Sequence, residues 1–88
     1  MPERKLRLAD GTVIENAHCI RSEGRLYVYI DGQDDLRKYF DLFMDPWKTA
    51  TITETFLETE TVYEGFTELY SISREYGNIN VAMQKEST

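Results

Sequence analysis

Leu6 and Leu8 lie two apart near the start of the chain, and Val13 and Ile14 follow after Asp10-Gly11. Asp-Gly between two β-compatible runs supplies the positive φ angles of a tight turn, so a hairpin is predicted there. Leu26, Val28 and Ile30 alternate with Tyr27, Tyr29 and Asp31, which predicts a third strand entered through Ser22-Glu23-Gly24 and left at Asp31-Gly32. From Asp34 the period changes from two to about 3.6. Leu36, Tyr39, Phe40, Phe43 and Met44 fall on one helical face, with Asp34 as N-cap, Asp35 beside it, and Pro46 as the stop. The helix is expected within residues 33 to 45.

Beyond Pro46 the pattern returns to a period of two. Thr49 to Glu60 alternates threonine with Ile52, Glu54, Phe56 and Glu58, and a half-polar strand is predicted. Val62 to Ser73 reads as the next strand, with Gly65 as a bulge or a close backbone approach. Gly77-Asn78 turns the chain into Ile79, Val81 and Met83. No internal repeat is visible. The order is strands, one helix, strands, and the expected fold is a single α+β domain in which a curved antiparallel sheet of about six strands wraps the helix. Leu36, Phe40 and Phe43 should then pack against Leu26, Val28, Ile30, Val81 and Met83, with Trp47 near the rim.

At 88 residues the chain suits one core, and 41% hydrophobic with 12% aromatic residues is a folding composition. Ten Lys and Arg against sixteen Asp and Glu leave a net charge of -6, which disfavours direct binding to nucleic acid or to anionic membranes. A lone Cys19 forms no internal disulfide, and Asn16, Asn78 and Asn80 open no glycosylation sequon, so a reducing cytoplasm is the expected setting. The charged start Glu3-Arg4-Lys5 and the lack of any run of about eighteen apolar residues predict neither a signal peptide nor a membrane partner.

The sequence holds little catalytic chemistry. His18 and Cys19 are neighbours, so on a strand they point to opposite faces and cannot share a metal or form a nucleophile pair. Asp31-Gly32-Gln33-Asp34-Asp35 resembles a calcium loop, but Leu36 and Leu42 stand where the loop needs Gly and Glu. A strand-ending turn and helix cap explain those aspartates. Asp41 and Asp45 lie off the apolar helix face and read as solvation. No phosphate loop, nucleophile elbow or zinc-protease motif occurs, and neither an enzyme nor a cofactor is expected. Tyr27, Tyr29 and Tyr63 could stack bases, but Arg21, Arg25 and Arg37 make a thin basic frame, and core or interface tyrosines are the better reading.

Charge is the one asymmetry with functional content. Thr49 to Glu68 contains no Lys or Arg, while Glu54, Glu58, Glu60, Glu64 and Glu68 recur at even spacing. On regular strands they share a parity and would line one edge or face, either as an ordinary solvated surface or as an acidic stripe offered to a basic groove. Glu54, Glu58, Glu60 and Glu64, with Tyr63 and Trp47, are the candidate partner-binding residues.

Three stretches carry a resemblance: Asp10-Gly11-Thr12-Val13-Ile14-Glu15-Asn16, Asp45-Pro46-Trp47-Lys48-Thr49-Ala50-Thr51-Ile52 and Thr61-Val62-Tyr63-Glu64-Gly65-Phe66-Thr67-Glu68-Leu69. The chain resembles short uncharacterised proteins encoded by phages and prophages of Firmicutes and gut clostridia. The resemblance implies a phage protein acting inside the bacterial cell or in the virion, and it assigns no catalytic residue. Two functions are therefore expected. The first is a non-enzymatic protein-binding module, an acidic inhibitor of host nucleic-acid or CRISPR-type defence machinery, with a basic protein surface as partner. The alternative is a small virion structural or assembly protein that self-associates through sheet edges or shared aromatics.

Overall fold

The computed structural model describes residues 4–85, which form an α+β fold of antiparallel strands with two short helices. The single six-stranded sheet expected from the pattern is replaced by two four-stranded sheets. The first has the order β2-β1-β5-β6, built from β1 (Arg4–Arg7), β2 (Val13–Glu15), β5 (Thr51–Phe56) and β6 (Thr59–Glu64). The second has the order β3-β4-β8-β7, built from β3 (Ala17–Ser22), β4 (Arg25–Ile30), β7 (Glu68–Glu75) and β8 (Asn78–Gln84).

Each sheet consists of two hairpins. Exchanging β1 to β4 with β5 to β8 leaves both strand orders unchanged, so the halves are topologically equivalent although no sequence repeat accompanies them. The chain passes between sheets at two corners and through the helices. Asn16, at φ 55, turns β2 into β3, and its carbonyl accepts from the Asp31 amide at 2.9 Å. Gly65, at φ +86, begins the second corner, where its amide donates to the Ala50 carbonyl at 3.0 Å. That corner divides the expected Val62 to Ser73 strand and drives Phe66 into the core. The expected strand from Thr49 to Glu60 is likewise cut, by a two-residue turn at Leu57 and Glu58.

Helix α1 (Leu36–Phe43) lies within the expected span, but its cap is Asp35 rather than Asp34: the Asp35 carboxylate accepts from the Lys38 amide at 3.1 Å. Pro46 ends α1 and starts another helix. It occupies the first turn of α2 (Pro46–Thr49), where its missing amide hydrogen costs nothing, and Asp45 accepts from the Trp47 amide at 3.0 Å.

The core joins one face of each sheet, with Leu6, Ile14 and Ile52 from the first and Ala17, Cys19, Leu26, Val28, Ile30, Ile79, Val81 and Met83 from the second. All five strand residues expected in the core are there. The helix presents Tyr39 and Phe43 instead of the expected Leu36, Phe40 and Phe43: Phe43 is fully buried, whereas Phe40 is 39% exposed. The apolar set on α1 is wider than the surface that covers it, so the helix rotates to bury Tyr39 and Phe43 and leaves Leu36, Phe40 and Met44 along its outer flank.

Candidate functional site

Strand register decides where the glutamates go. Leu57, at φ 58, opens the two-residue β5–β6 turn, which pairs Phe56 with Thr59, Glu54 with Thr61 and Thr51 with Glu64. Each pair joins an even-numbered residue to an odd-numbered one, so even positions on β5 and even positions on β6 occupy opposite faces. Glu54 therefore shares the inner face with Leu6, Ile52, Thr61 and Tyr63. Glu60 and Glu64 share the outer face with Val62, Thr53 and Thr55. Glu58 sits exposed in the turn, and Glu68 belongs to the other sheet, where the Gln84 amide donates to it at 2.6 Å. The expected stripe is divided, and only Glu58, Glu60 and Glu64 remain together on exposed surface.

Glu54 has a structural task. The Cys19 amide donates to its Oε2 at 2.7 Å, so the side chain reaches from the first sheet to cap an edge amide of the second. Burial, then the nearby Glu54 charge, pushes the Cys19 thiol well above its ordinary range. The same two causes, in the same order, raise the Tyr63 hydroxyl, whose ring packs half-buried against the core. Tyr63 is thus separated from Glu60 and Glu64 by the thickness of the sheet.

The outer face of the first sheet carries its basic residues on a central strand and acids at both edges, with Glu15 on β2 beside Lys5. Lys5 and Arg7 stand on β1, Thr55 and Thr53 beside them on β5, and Glu60 and Val62 on β6. Arg7 reaches Glu60 at 4.0 Å, with both side chains more than half exposed, a geometry that contributes little. The β6 edge carries two exposed glutamates, Glu60 and Glu64, against the single Glu15 at the β2 edge.

Trp47 is 85% exposed at the start of α2, not packed at a rim as expected. Leu36, Phe40 and Met44 precede it at intervals of one helical turn, all partly exposed. Met44 and Pro46 line a depression of about 260 Å³ with Thr67, Glu68 and Leu69. Leu36, Phe40 and Met44 thus form an apolar flank of α1 with an open groove at its Met44 end, and Trp47 stands exposed on α2 beyond the extended Asp45.

The three tyrosines considered as a platform are also separated. Tyr27 and Tyr29 lie on the outer face of the second sheet, where Tyr29 stacks on His18 at 5.1 Å and a shallow depression of about 200 Å³ is lined by both tyrosines with Ser71, Ser73 and Asn80. Arg25 covers Tyr70 at 3.7 Å, Arg21 lies 5.5 Å from the Phe66 ring, and Arg37 pairs with Asp41 at 3.3 Å, so the arginines are dispersed. The sequence reading missed this uncharged depression because Ser71, Ser73 and Asn80 carry no signal until β7 and β8 are placed beside β4. Among the described residues no group of three or more His, Cys, Asp or Glu side chains could hold a metal, and no helix is long and apolar enough to cross a membrane. Compared with known proteins, the chain matches no family, no curated protein and no solved structure.

Proposed function

We propose that the protein is a non-enzymatic, phage- or mobile-element-encoded binding module that engages a protein partner with a basic surface. The favoured targets are host nucleic-acid or CRISPR-type defence machinery in the bacterial cytoplasm. The observation that carries the binding reading is the exposed apolar set of Leu36, Phe40, Met44 and Trp47. An indole left 85% exposed on α2, with three partly exposed apolar side chains along the preceding α1, is the kind of surface that a partner covers. Net charge of -6 and the Glu58, Glu60 and Glu64 edge favour a basic partner, by long-range attraction that acts mainly on association rate. The phage setting and the defence target rest on the resemblance of the three sequence stretches.

The same surface supports a second reading, a virion assembly protein, because an uncharged apolar surface serves a second copy as well as a foreign partner. Trp47 is the only tryptophan, so its fluorescence reports that surface directly. Light scattering and emission are measured from low to high micromolar protein, and then with a candidate basic partner added. A blue shift with concentration and growth in mass supports the assembly role. A monomer whose emission shifts only with partner supports the binding module. Trp47→Ala should abolish either association without altering the melting temperature, and retention of both would refute this surface.

A further inference from the structure

The two sheets present edges at β2, β6, β3 and β7, and β6 is the one protected by charge alone. β2 has only three residues. On β3 the outward Cys19 amide is capped by the Glu54 carboxylate, an inward-pointing charge of the kind that blocks edge pairing. β7 is interrupted by a register shift between Leu69 and Ser71, and α1 packs on it. β6 is six residues long, pairs with β5 without a bulge, contains neither Pro nor Lys, and has no other strand beside it among the described residues.

Turn geometry shows which groups lie open. A two-residue hairpin closes on a hydrogen-bonded pair, here Phe56 with Thr59, and such pairs then alternate. Glu60, Val62 and Glu64 accordingly direct their amide and carbonyl groups away from β5. The same rule applied to the β3–β4 turn at Glu23 and Gly24 makes Cys19 point outward, which is where its amide is found. The three residues with open backbone groups thus also carry the outer-face glutamates, with Val62 between them 52% exposed.

We infer that β6 accepts an added strand from the basic partner, and that the strand reads basic–x–β-branched–x–basic opposite Glu64, Val62 and Glu60. This rests on the proposed binding function and specifies its geometry. Backbone pairing supplies the docking and the glutamates choose the occupant. A second copy of β6 is a poor occupant. In the two-fold register centred on Val62 it would set Glu60 against Glu64 of the other chain, and like charges directly opposite are destabilising.

The probe is a synthetic peptide, Thr-Lys-Thr-Val-Thr-Lys-Thr, titrated into the isotope-labelled protein at low and moderate salt. Two N-methylated forms accompany it, one blocked at the lysine and valine amides and one at the three inner and terminal threonine amides that face away from β6, together with a form carrying Glu for Lys. Expected are shifts along β6, slower amide exchange at Glu60, Val62 and Glu64, tolerance of threonine methylation, and a loss of about tenfold or more in affinity when lysine and valine are methylated. The Glu form should not bind. Val62→Pro removes one outward donor that β5 does not use and should weaken binding similarly.

Equal affinity of the two methylated forms would overturn strand addition while leaving salt-dependent acidic recognition intact. Shifts confined to Leu36, Phe40, Met44 and Trp47 would overturn it and leave the binding module standing. No preference for lysine over glutamate peptide at low salt would overturn both the strand addition and the choice of a basic partner.

Discussion

Phe40 and Phe43 are adjacent members of one apolar set on α1, yet the first is 39% exposed and the second is fully buried. Phe43→Ala should cost about 3 to 5 kcal/mol in urea unfolding, and Phe40→Ala less than about 1 kcal/mol. A larger cost at Phe40 would contradict the helix orientation. Glu54 gives a second residue-scale expectation. Glu54→Ala leaves the Cys19 amide without its acceptor and should cost about 1 to 3 kcal/mol, whereas Glu54→Gln keeps an acceptor oxygen and should cost less. At Cys19 the folded state holds the thiol proton more tightly than the unfolded chain. Its contribution is therefore intact below the ordinary value of 9.0 and is lost as pH rises above it. The urea midpoint should decline from about pH 9 upward, and less so in Cys19→Ala. Identical pH slopes in the two proteins would show that the thiol titrates normally.

The turns of the hairpins show how local chemistry sets an element. Glu23 and Gly24 both have positive φ, as do Tyr76 and Gly77, and in each pair glycine relieves one of the two strained positions. Leu57 has no such relief at φ 58 and is 65% exposed, so its side chain gains little there. Leu57→Gly should raise stability by up to about 1 kcal/mol, because the left-handed backbone costs leucine about 1 to 2 kcal/mol and only part of that returns as unfolded-state entropy. A drop in melting temperature would mean that Leu57 packs against something. Asp10-Gly11, Asp31-Gly32 and the period change at Asp34 were legible for the same reason: turn residues and helical spacing act over a few neighbours. The β5–β6 turn was not legible, because Leu57-Glu58 carries no Gly, Pro, Asn or Asp, and after Phe56-Leu57 the alternation of Thr and Glu resumes in the same parity.

For the whole molecule, charge is asymmetric in a way that parity concealed. Replacing Glu58, Glu60 and Glu64 with Gln should leave folding unchanged or slightly improved, since these groups are exposed and repel one another. Association with a basic partner should slow and lose part of its salt dependence. Equal on-rates and equal salt slopes would make the edge an ordinary solvated strand. Glu54→Gln should instead leave the on-rate alone, because that carboxylate faces inward and serves the Cys19 edge.

The sequence alone determined the hairpin turns marked by glycine, the position of the principal helix, the apolar phase of β4 and β8, the opposite faces of His18 and Cys19, and the acidic bias after Thr49. All of these depend on the residue types themselves or on neighbours a few positions away. Tertiary structure decided the partition into two sheets, the rotation of α1, and the fate of each glutamate. The partition follows from chain reversals at Asn16 and at Gly65 to Thr67, where only packing of the next hairpin shows that the chain has changed sheets. Helix rotation depends on how much of its apolar set the strands can cover. The glutamates were divided because a two-residue turn places even positions of one strand on the opposite face from even positions of the next, so one unmarked turn sent Glu54 inward and left Glu60 and Glu64 on the open edge.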